Sequence, residues 1–411
     1  MLYFIPTMEE NRTILYLHGP LVRTSRLLLE GLSAFAAANG FHVQRMSPPQ
    51  GAGTGYLRRL IDFWQPLGIV EDCGVEPNMP LPDASIRSPF VCIDLDEARR
   101  ETELANGKCR FRILGFVNAD SAAFAQIAAR ELLLRDFRSY AYVSAYQEAY
   151  WSKLRERSFA EAVELCGHTA SVFDGRGLAS GIASGVQRLG TWLKALPKPC
   201  GLLAANDRTA ALVLTAAARH GVAIPDEVGV IGIDDDEMLC ENMSPQLTSI
   251  KTDFFQGGRI AGQLVADLIG KRAKSGTTLH YGAQKIVQRL STRRLKTQTP
   301  SVRIALETIR RRVAEGISAV DILPILGGSR RSAEKRFRLA TGKSILEEIL
   351  DVRFEKLLSL LEQRHLPLGS LAGIAGFSSE NHLQRQFKAR FGMTLTDYRR
   401  KTKGATDITK S

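Results

Sequence analysis

No run in this 411-residue chain approaches the ~20 consecutive apolar residues that a membrane-spanning helix needs. The opening residues, MLYFIPTMEENRTILYLHG, place no basic leader ahead of an apolar stretch, so a cytoplasmic protein without a membrane partner is expected. Cysteine is sparse, and Cys73, Cys92, Cys109, Cys166, Cys200 and Cys240 include no C-x-x-C pair; reduced thiols buried as small hydrophobes are expected. Catalytic signatures are missing too, with no H-E-x-x-H pair and no G-x-S-x-G elbow. The glycines of GAGTG, Gly51 to Gly55, lack the Lys and Ser or Thr of a phosphate loop, which leaves a connector. The run Asp234 to Glu237 lacks the spaced oxygens and Gly of a calcium loop. No acid and base stand at a recognisable spacing for glycoside cleavage. No enzyme, metal or cofactor is therefore expected.

Acidic residues are scarce where basic ones gather. Residues 301–411 hold 21 Lys and Arg against 12 Asp and Glu, a net of +9, whereas the first 300 carry only +3 of the total +12. Such a concentrated positive field has a phosphate backbone as its natural partner. Within this tail, Gly376 to Arg400 reads GFSSENHLQRQFKARFGMTLTDYRR. Ser379 is a good N-cap, and Leu383, Phe387 and Phe391 recur every four residues, which predicts a short helix with one buried face. Asn381, His382, Gln384, Arg385 and Lys388 occupy the other face. In GGSRRSAEKRFRLATG, Ser329, Ala333, Phe337 and Gly342 stand fifty residues ahead of Ser379, Leu383, Phe387 and Gly392. The motif is duplicated.

A turn, a short supporting helix and a basic second helix are what a helix-turn-helix needs to enter a major groove. With G-F-S-S, Phe387 and Lys388, Gly392, and Asp397, Tyr398 and Arg399 in place, residues 303 to 400 resemble the DNA-binding domain of the AraC family of transcription regulators. Leu395 stands where that family usually has Pro, Ala333 where it usually has Leu, and Pro324 lies within the first supporting helix. Helices are expected over Val302–Glu315, Ser318–Leu326, Arg330–Ala340, Ile345–Gln363, Leu368–Ala375 and Glu380–Arg390. Arg331, Glu334 and Lys335 in the first motif, and Glu380, Asn381, His382 and Arg385 in the second, are expected to face base edges. Arg330, Arg338 and Lys388 are expected to hold phosphates.

Ahead of the tail, strands and helices alternate from Thr13, beginning Ile14–Leu17 (strand), Leu27–Ala38 (helix) and Phe41–Arg45 (strand), and the rhythm recurs after Ser121. Two lobes, each a doubly wound parallel sheet, are predicted. The runs Leu202 to Glu237 and Ser244 to Val265 resemble the effector domain shared by LacI-type regulators and periplasmic sugar-binding proteins. The resemblance implies an α/β two-lobed sensor over residues 1–295, a linker at 296–302, an all-α domain with two helix-turn-helix motifs at 303–403 and a disordered tail at 404–411. It also implies a cleft at the carboxyl ends of the strands, where Arg155, Asn206 and Asp234 are the expected ligand contacts and Asp207 follows them. Asp207 has a second reading, as the cap of a helix opening at Arg208; Arg155 has one as part of an exposed salt-bridged face. Thr252 stands where relatives often place Gln. Lobe crossings are expected near Leu114–Asn118, Leu247–Thr252 and Ile286–Gln288.

The whole implies a regulator that binds double-stranded promoter DNA and a small effector, a monosaccharide such as a pentose. A homodimer is expected, with RNA polymerase as a partner if it activates. A sensor that serves only as a dimerisation scaffold, or that takes a non-sugar effector, is the alternative.

Overall fold

In a computed structural model, residues 12–49, 52–74, 87–96, 101, 114–135, 137–145, 149–178, 182–294, 299–362 and 366–400 are described. The chain divides into two units, Met1–Cys240 with Leu247–Thr292, and Glu241–Gln246 with Arg293–Ser411. Cys109, part of the Gly51–Gly55 run, residues 295–298 and the tail 404–411 lie outside the described residues.

The first unit holds two six-stranded sheets. Strands β1 (Thr13–His18), β2 (His42–Met46), β3 (Gly68–Asp72), β4 (Phe90–Ile93), β5 (Leu114–Ala119) and β11 (Thr278–Tyr281) build one, in the order β11-β5-β4-β3-β1-β2. The other orders β12-β10-β9-β8-β6-β7, from β6 (Ser139–Val143), β7 (Ala170–Phe173), β8 (Cys200–Ala204), β9 (Val228–Ile233), β10 (Thr248–Thr252) and β12 (Ala283–Val287). The central strands are apolar on both faces because helices cover both, so Ile14, Leu15, Tyr16 and Leu17 are all buried. The first sheet packs α1 (Arg23–Asn39) and α2 (Thr54–Trp64); α3 (Ser121–Leu133), α4 (Tyr150–Glu164), α5 (Ile182–Ala195), α6 (Asp207–His220) and the one-turn α7 (Glu237–Cys240) belong to the second. Helix α8 (Phe254–Ile269) returns to the first sheet beside α1. Gly258 lets the two approach: a Cβ there would lie 1.9 Å from the Leu28 carbonyl oxygen.

Among the described residues the parallel pattern has one exception, since β12 runs antiparallel to β10. The chain crosses between lobes at Asp120, at Asp253 and at Gly282. The third crossing expected near Ile286–Gln288 is thus displaced, because those residues lie in or next to β12, paired with β10. The other two expected spans are strands, with each crossing just beyond its strand. Asp120 N–H donates to Tyr281 O at 2.9 Å and Asp253 N–H to Gly282 O at 3.0 Å, so the crossings are tied together. Each aspartate also caps the helix it opens, through Ala123 N–H for Asp120 and Gln256 N–H for Asp253.

The second unit is helical: α9 (Pro300–Arg312), α10 (Ala319–Leu326), α11 (Arg330–Thr341), α12 (Ile345–Glu362), α13 (Leu371–Ile374) and α14 (Glu380–Phe391). Residues 300–302 of the expected linker open α9. Leu290–Thr292 forms a buried 3-10 turn in the first unit, where Ser291 Oγ accepts from Thr248 N–H at 2.8 Å. Four described cysteines are buried, while Cys166 is exposed, against expectation. No described helix is long and apolar enough to cross a membrane.

Candidate ligand cleft and nucleic-acid interface

A cavity of about 430 Å³ lies between the two lobes of the first unit. Arg155, Asn206, Asp207 and Asp234 all line it. Arg155, in the second turn of α4, is buried rather than on an exposed face. Its Nη1 donates to Ala205 O at 2.5 Å, and its guanidinium lies over the rings of Trp151 at 4.6 Å and Phe124 at 5.6 Å. The Nε of Arg155 finds no acceptor among the described residues, so the cleft keeps a donor in hand. Asp234 follows β9 at φ +112°, a backbone held off the usual regions where the strand ends.

The cap expected of Asp207 falls to Asn206. The helix opens at Asp207, and Asn206 is its cap, with Oδ1 accepting from Thr209 N–H at 3.0 Å and Thr209 Oγ1 at 2.9 Å. Asp207 instead accepts from Ser249 Oγ at 2.5 Å, Asp236 N–H at 2.7 Å and Cys240 Sγ at 3.3 Å. It braces the loop that carries Asp234. Burial raises the carboxyl pKa of both Asp207 and Asp234; for Asp234, Arg155 and Arg23 pull the other way.

The first lobe contributes residues that spacing alone did not single out. Asp72 ends β3 and Asp94 follows β4 at φ +53°, positions at the carboxyl ends of strands where such folds place their ligands. That placement was the available signal. Asp94 accepts from Tyr281 Oη at 2.5 Å and from Ala119 N–H at 2.7 Å, and burial pushes its carboxyl up to about 6. Asp72 accepts from Tyr16 Oη and Gly74 N–H, both at 3.3 Å, and is likewise raised by burial. Arg23, at the start of α1, reaches across the cleft and donates to Asp234 O at 3.2 Å. Nothing in the local pattern around Arg23 or Trp151 marks either as a cleft residue. In all, Asp72, Asp94, Asp96, Asp207, Asp234 and Asp236 face a lining with three arginines, Arg23, Arg155 and Arg208. Acceptors outnumber cationic donors.

In the second unit, both second helices of the duplicated motif are built alike. Ser329 caps α11 through Ser332 N–H at 3.3 Å and Ser379 caps α14 through His382 N–H at 3.1 Å; Gly342 and Gly392 close them. Ala333, Phe337 and Ala340 face inward on α11, as Leu383 and Phe387 do on α14. The opposite faces expose Arg330, Arg331, Lys335 and Arg338 on α11, and Glu380, Asn381, Arg385 and Lys388 on α14. Glu334 and His382 are half-buried. His382 is also engaged, its Nδ1 2.9 Å from Ser378 Oγ and its ring edge-on to Phe377 at 5.8 Å. Arg336, which the sequence pattern did not single out, donates from Nη2 to Leu326 O at 2.6 Å and Gly327 O at 2.5 Å, closing the turn between α10 and α11. Leu395, in the place of the family's usual Pro, is buried beside Leu383 and Phe387.

The periplasmic binding protein-like domain family matches residues 129–292, and a helix-turn-helix domain family matches residues 324–401. The chain joins a periplasmic-binding-protein-like domain to an AraC-type helix-turn-helix domain. The chain is 26% identical over 287 residues to the xylose operon regulatory protein of Haemophilus influenzae, covering 69% of this chain and 74% of that one. With the Escherichia coli K12 protein of the same name it shares 28% over 250 residues, 61% of this chain and 64% of that one. A solved xylose-binding transcription activator superposes with a TM-score of 0.60 at 21% identity, over 94% of this chain and 97% of that one, which carries the fold. Each of these relatives is named as a regulator.

Proposed function

We propose that the regulator binds a neutral monosaccharide between the lobes of its first unit and responds by changing how it engages promoter DNA, activating a carbohydrate-utilisation operon from the cytoplasm. The observation that carries this reading is the cleft itself, where acceptor oxygens from both lobes converge with an arginine and aromatic faces. A sugar offers hydroxyl donors to carboxylates, hydroxyl acceptors to Arg155, and C–H faces to rings such as Trp151. The excess of aspartates disfavours a sugar phosphate or sugar acid by like-charge repulsion. Relatives named for a xylose operon make a pentose the first sugar to try.

On this reading Arg155 and Asp234 contact the ligand, Asn206 offers its amide N–H₂, and Asp207 holds the loop behind Asp234. A ligand touching both lobes favours the closed form by its differential affinity, and a homodimer passes the change to paired reading heads. Residues 303–403 read the DNA, with Arg331, Glu334, Lys335, Glu380, Asn381, His382 and Arg385 at bases and Arg330, Arg338 and Lys388 at phosphates. RNA polymerase is then the partner that activation requires.

Thermal-shift and calorimetric titration of the full chain against pentoses, hexoses and their phosphates tests the reading. Saturable stabilisation by one neutral sugar is expected. A folded sample that no sugar shifts, or that only a sugar phosphate shifts, would sink it and leave the first unit as a scaffold or a sensor of something else.

A further inference from the structure

Beneath the cleft, the first lobe brings two thiols and a carboxylate together. Strands β3 and β4 are parallel neighbours with Glu71 opposite Cys92, and Cys73 stands two residues beyond Glu71. Alternation along the strand puts the three side chains on one face of the sheet, the face opposite Asp72. A carboxylate oxygen of Glu71, Sγ of Cys73 and Sγ of Cys92 all lie within 4.8 Å of one another, and all three residues are buried. Cys73 Sγ donates to the backbone oxygen of Glu71 at 3.9 Å. Around them the layer is apolar, formed by side chains such as Leu15, Leu17, Phe90 and Leu95.

We propose that Glu71, Cys73 and Cys92 form a binding site for one thiophilic metal ion, Zn²⁺ or a softer relative, which braces the floor of the cleft. Donors separated by 4.8 Å or less leave a central ion no more than about 2.8 Å from each. Zinc prefers about 2.3 Å to sulfur and 2.0–2.2 Å to a carboxylate oxygen, so the three side chains draw in by roughly half an ångström. Two sulfurs select against Mg²⁺ and Ca²⁺, which take oxygen. Both thiol protons leave as the ion enters, and the divalent charge offsets two of the three negative charges that the ligands then carry. Cys73 also lines the cleft, which gives the ion a way in and leaves a fourth position for water.

The site bears on the cleft through chain connectivity. Asp72 stands between two of the ligands and accepts from Tyr16 Oη and Gly74 N–H. Fixing Glu71 and Cys73 fixes the backbone that aims Asp72. The metal therefore tunes whatever ligand the cleft holds, and the site's existence does not depend on that ligand's identity.

The full chain, reduced and stripped of metal, is titrated with Cd²⁺ while the thiolate-to-cadmium ultraviolet band is followed. One ion per chain is expected. Cys73→Ser and Cys92→Ser should each weaken binding at least tenfold, Glu71→Gln should weaken it less, and Cys166→Ser, which removes an exposed thiol, should leave it unchanged. A band that survives the cysteine substitutions, one that vanishes with Cys166→Ser, or none at micromolar Cd²⁺ overturns the site. If a cysteine variant does not melt cooperatively, the ¹¹³Cd resonance of the unsubstituted protein decides. A shift characteristic of two sulfur donors supports the site, and any other sulfur count overturns it.

Discussion

The backbone of Gly376 packs against the carbonyl oxygen of Val313, so closely that a Cβ at Gly376 would fall 1.8 Å from it. Val313 follows α9, ahead of the first helix-turn-helix, and Gly376 is the turn of the second. Arg353 on α12 strengthens the same seam, donating to Ile317 O at 2.8 Å with its guanidinium 5.6 Å from the Phe377 ring. The two motifs are therefore held as one block. Helix α12 joins them over 18 residues, about 27 Å of rise. That length is comparable with the ~34 Å between successive major grooves on one face of a duplex.

Gly376→Ala should break this seam. The residue sits at φ +81°, where a side chain is strained, and the added methyl meets backbone that cannot swing aside. A loss of ~2–5 kcal/mol in the stability of the helical unit is expected, a size usual for overpacking combined with backbone strain. Urea unfolding of the full chain should show that unit melting early while the first unit's transition stays in place. An unchanged profile would mean the contact is looser than the geometry says.

Arg385 and Lys388 lie one turn apart on the exposed face of α14, and substituting each separates base reading from phosphate holding. Arg385→Ala should cost ~1–3 kcal/mol of specific binding and relax the preference at one base pair. Lys388→Ala should weaken all sequences alike and lower the slope of log K against log salt by about 1. Competition binding over a randomised site at several salt concentrations reads both. Identical, sequence-blind losses would contradict the division of roles.

Arg155→Lys tests the cleft. Lysine keeps the charge but not the planar fork that engages the Ala205 carbonyl and stacks over Trp151. On the proposed reading, affinity for the sugar should fall roughly tenfold or more, about 1.4 kcal/mol for each factor of ten. Calorimetry on a variant with an unaltered melt reads it directly, and unaltered affinity would move Arg155 out of the contact set.

Much of this architecture was legible because it is written in periods. Strands with two buried faces read as apolar runs, and the stripe Leu383, Phe387, Phe391 gave its helix away. The duplicate at a fixed offset did the same for α11. Strands β10 to β12 were not, since Lys251, His280 and Lys285 interrupt any apolar run and only tertiary pairing settles their register. The cap on α6 was placed one residue late, because Asn206 and Asp207 are both good caps and sequence alone does not choose between them. Asp72 and Asp94 escaped because each is an acid at the end of a strand with no motif around it, and only the fold brings them opposite Asp234.

Asp94 gives the first unit an unusual response to pH. An aspartate that ionises near 3.8 when unfolded is held up to about 6 in the fold, chiefly by burial. Between those values the folded chain binds the extra proton, so stability falls as pH rises across the window and levels off above it. Asparagine at this position cannot ionise and escapes that loss. The stability of Asp94→Asn relative to the unsubstituted protein should therefore move in the variant's favour by ~2 kcal/mol between pH 4 and 6, then level off above pH 7. Any constant offset reflects the altered hydrogen bonds to Tyr281 and Ala119, while removing the charge of Asp94 also relieves the repulsion that raises Asp234, which adds to the change in the same direction. Urea unfolding of the two proteins at pH 4, 5, 6 and 7 measures it, and a difference independent of pH would mean that Asp94 ionises at its ordinary value.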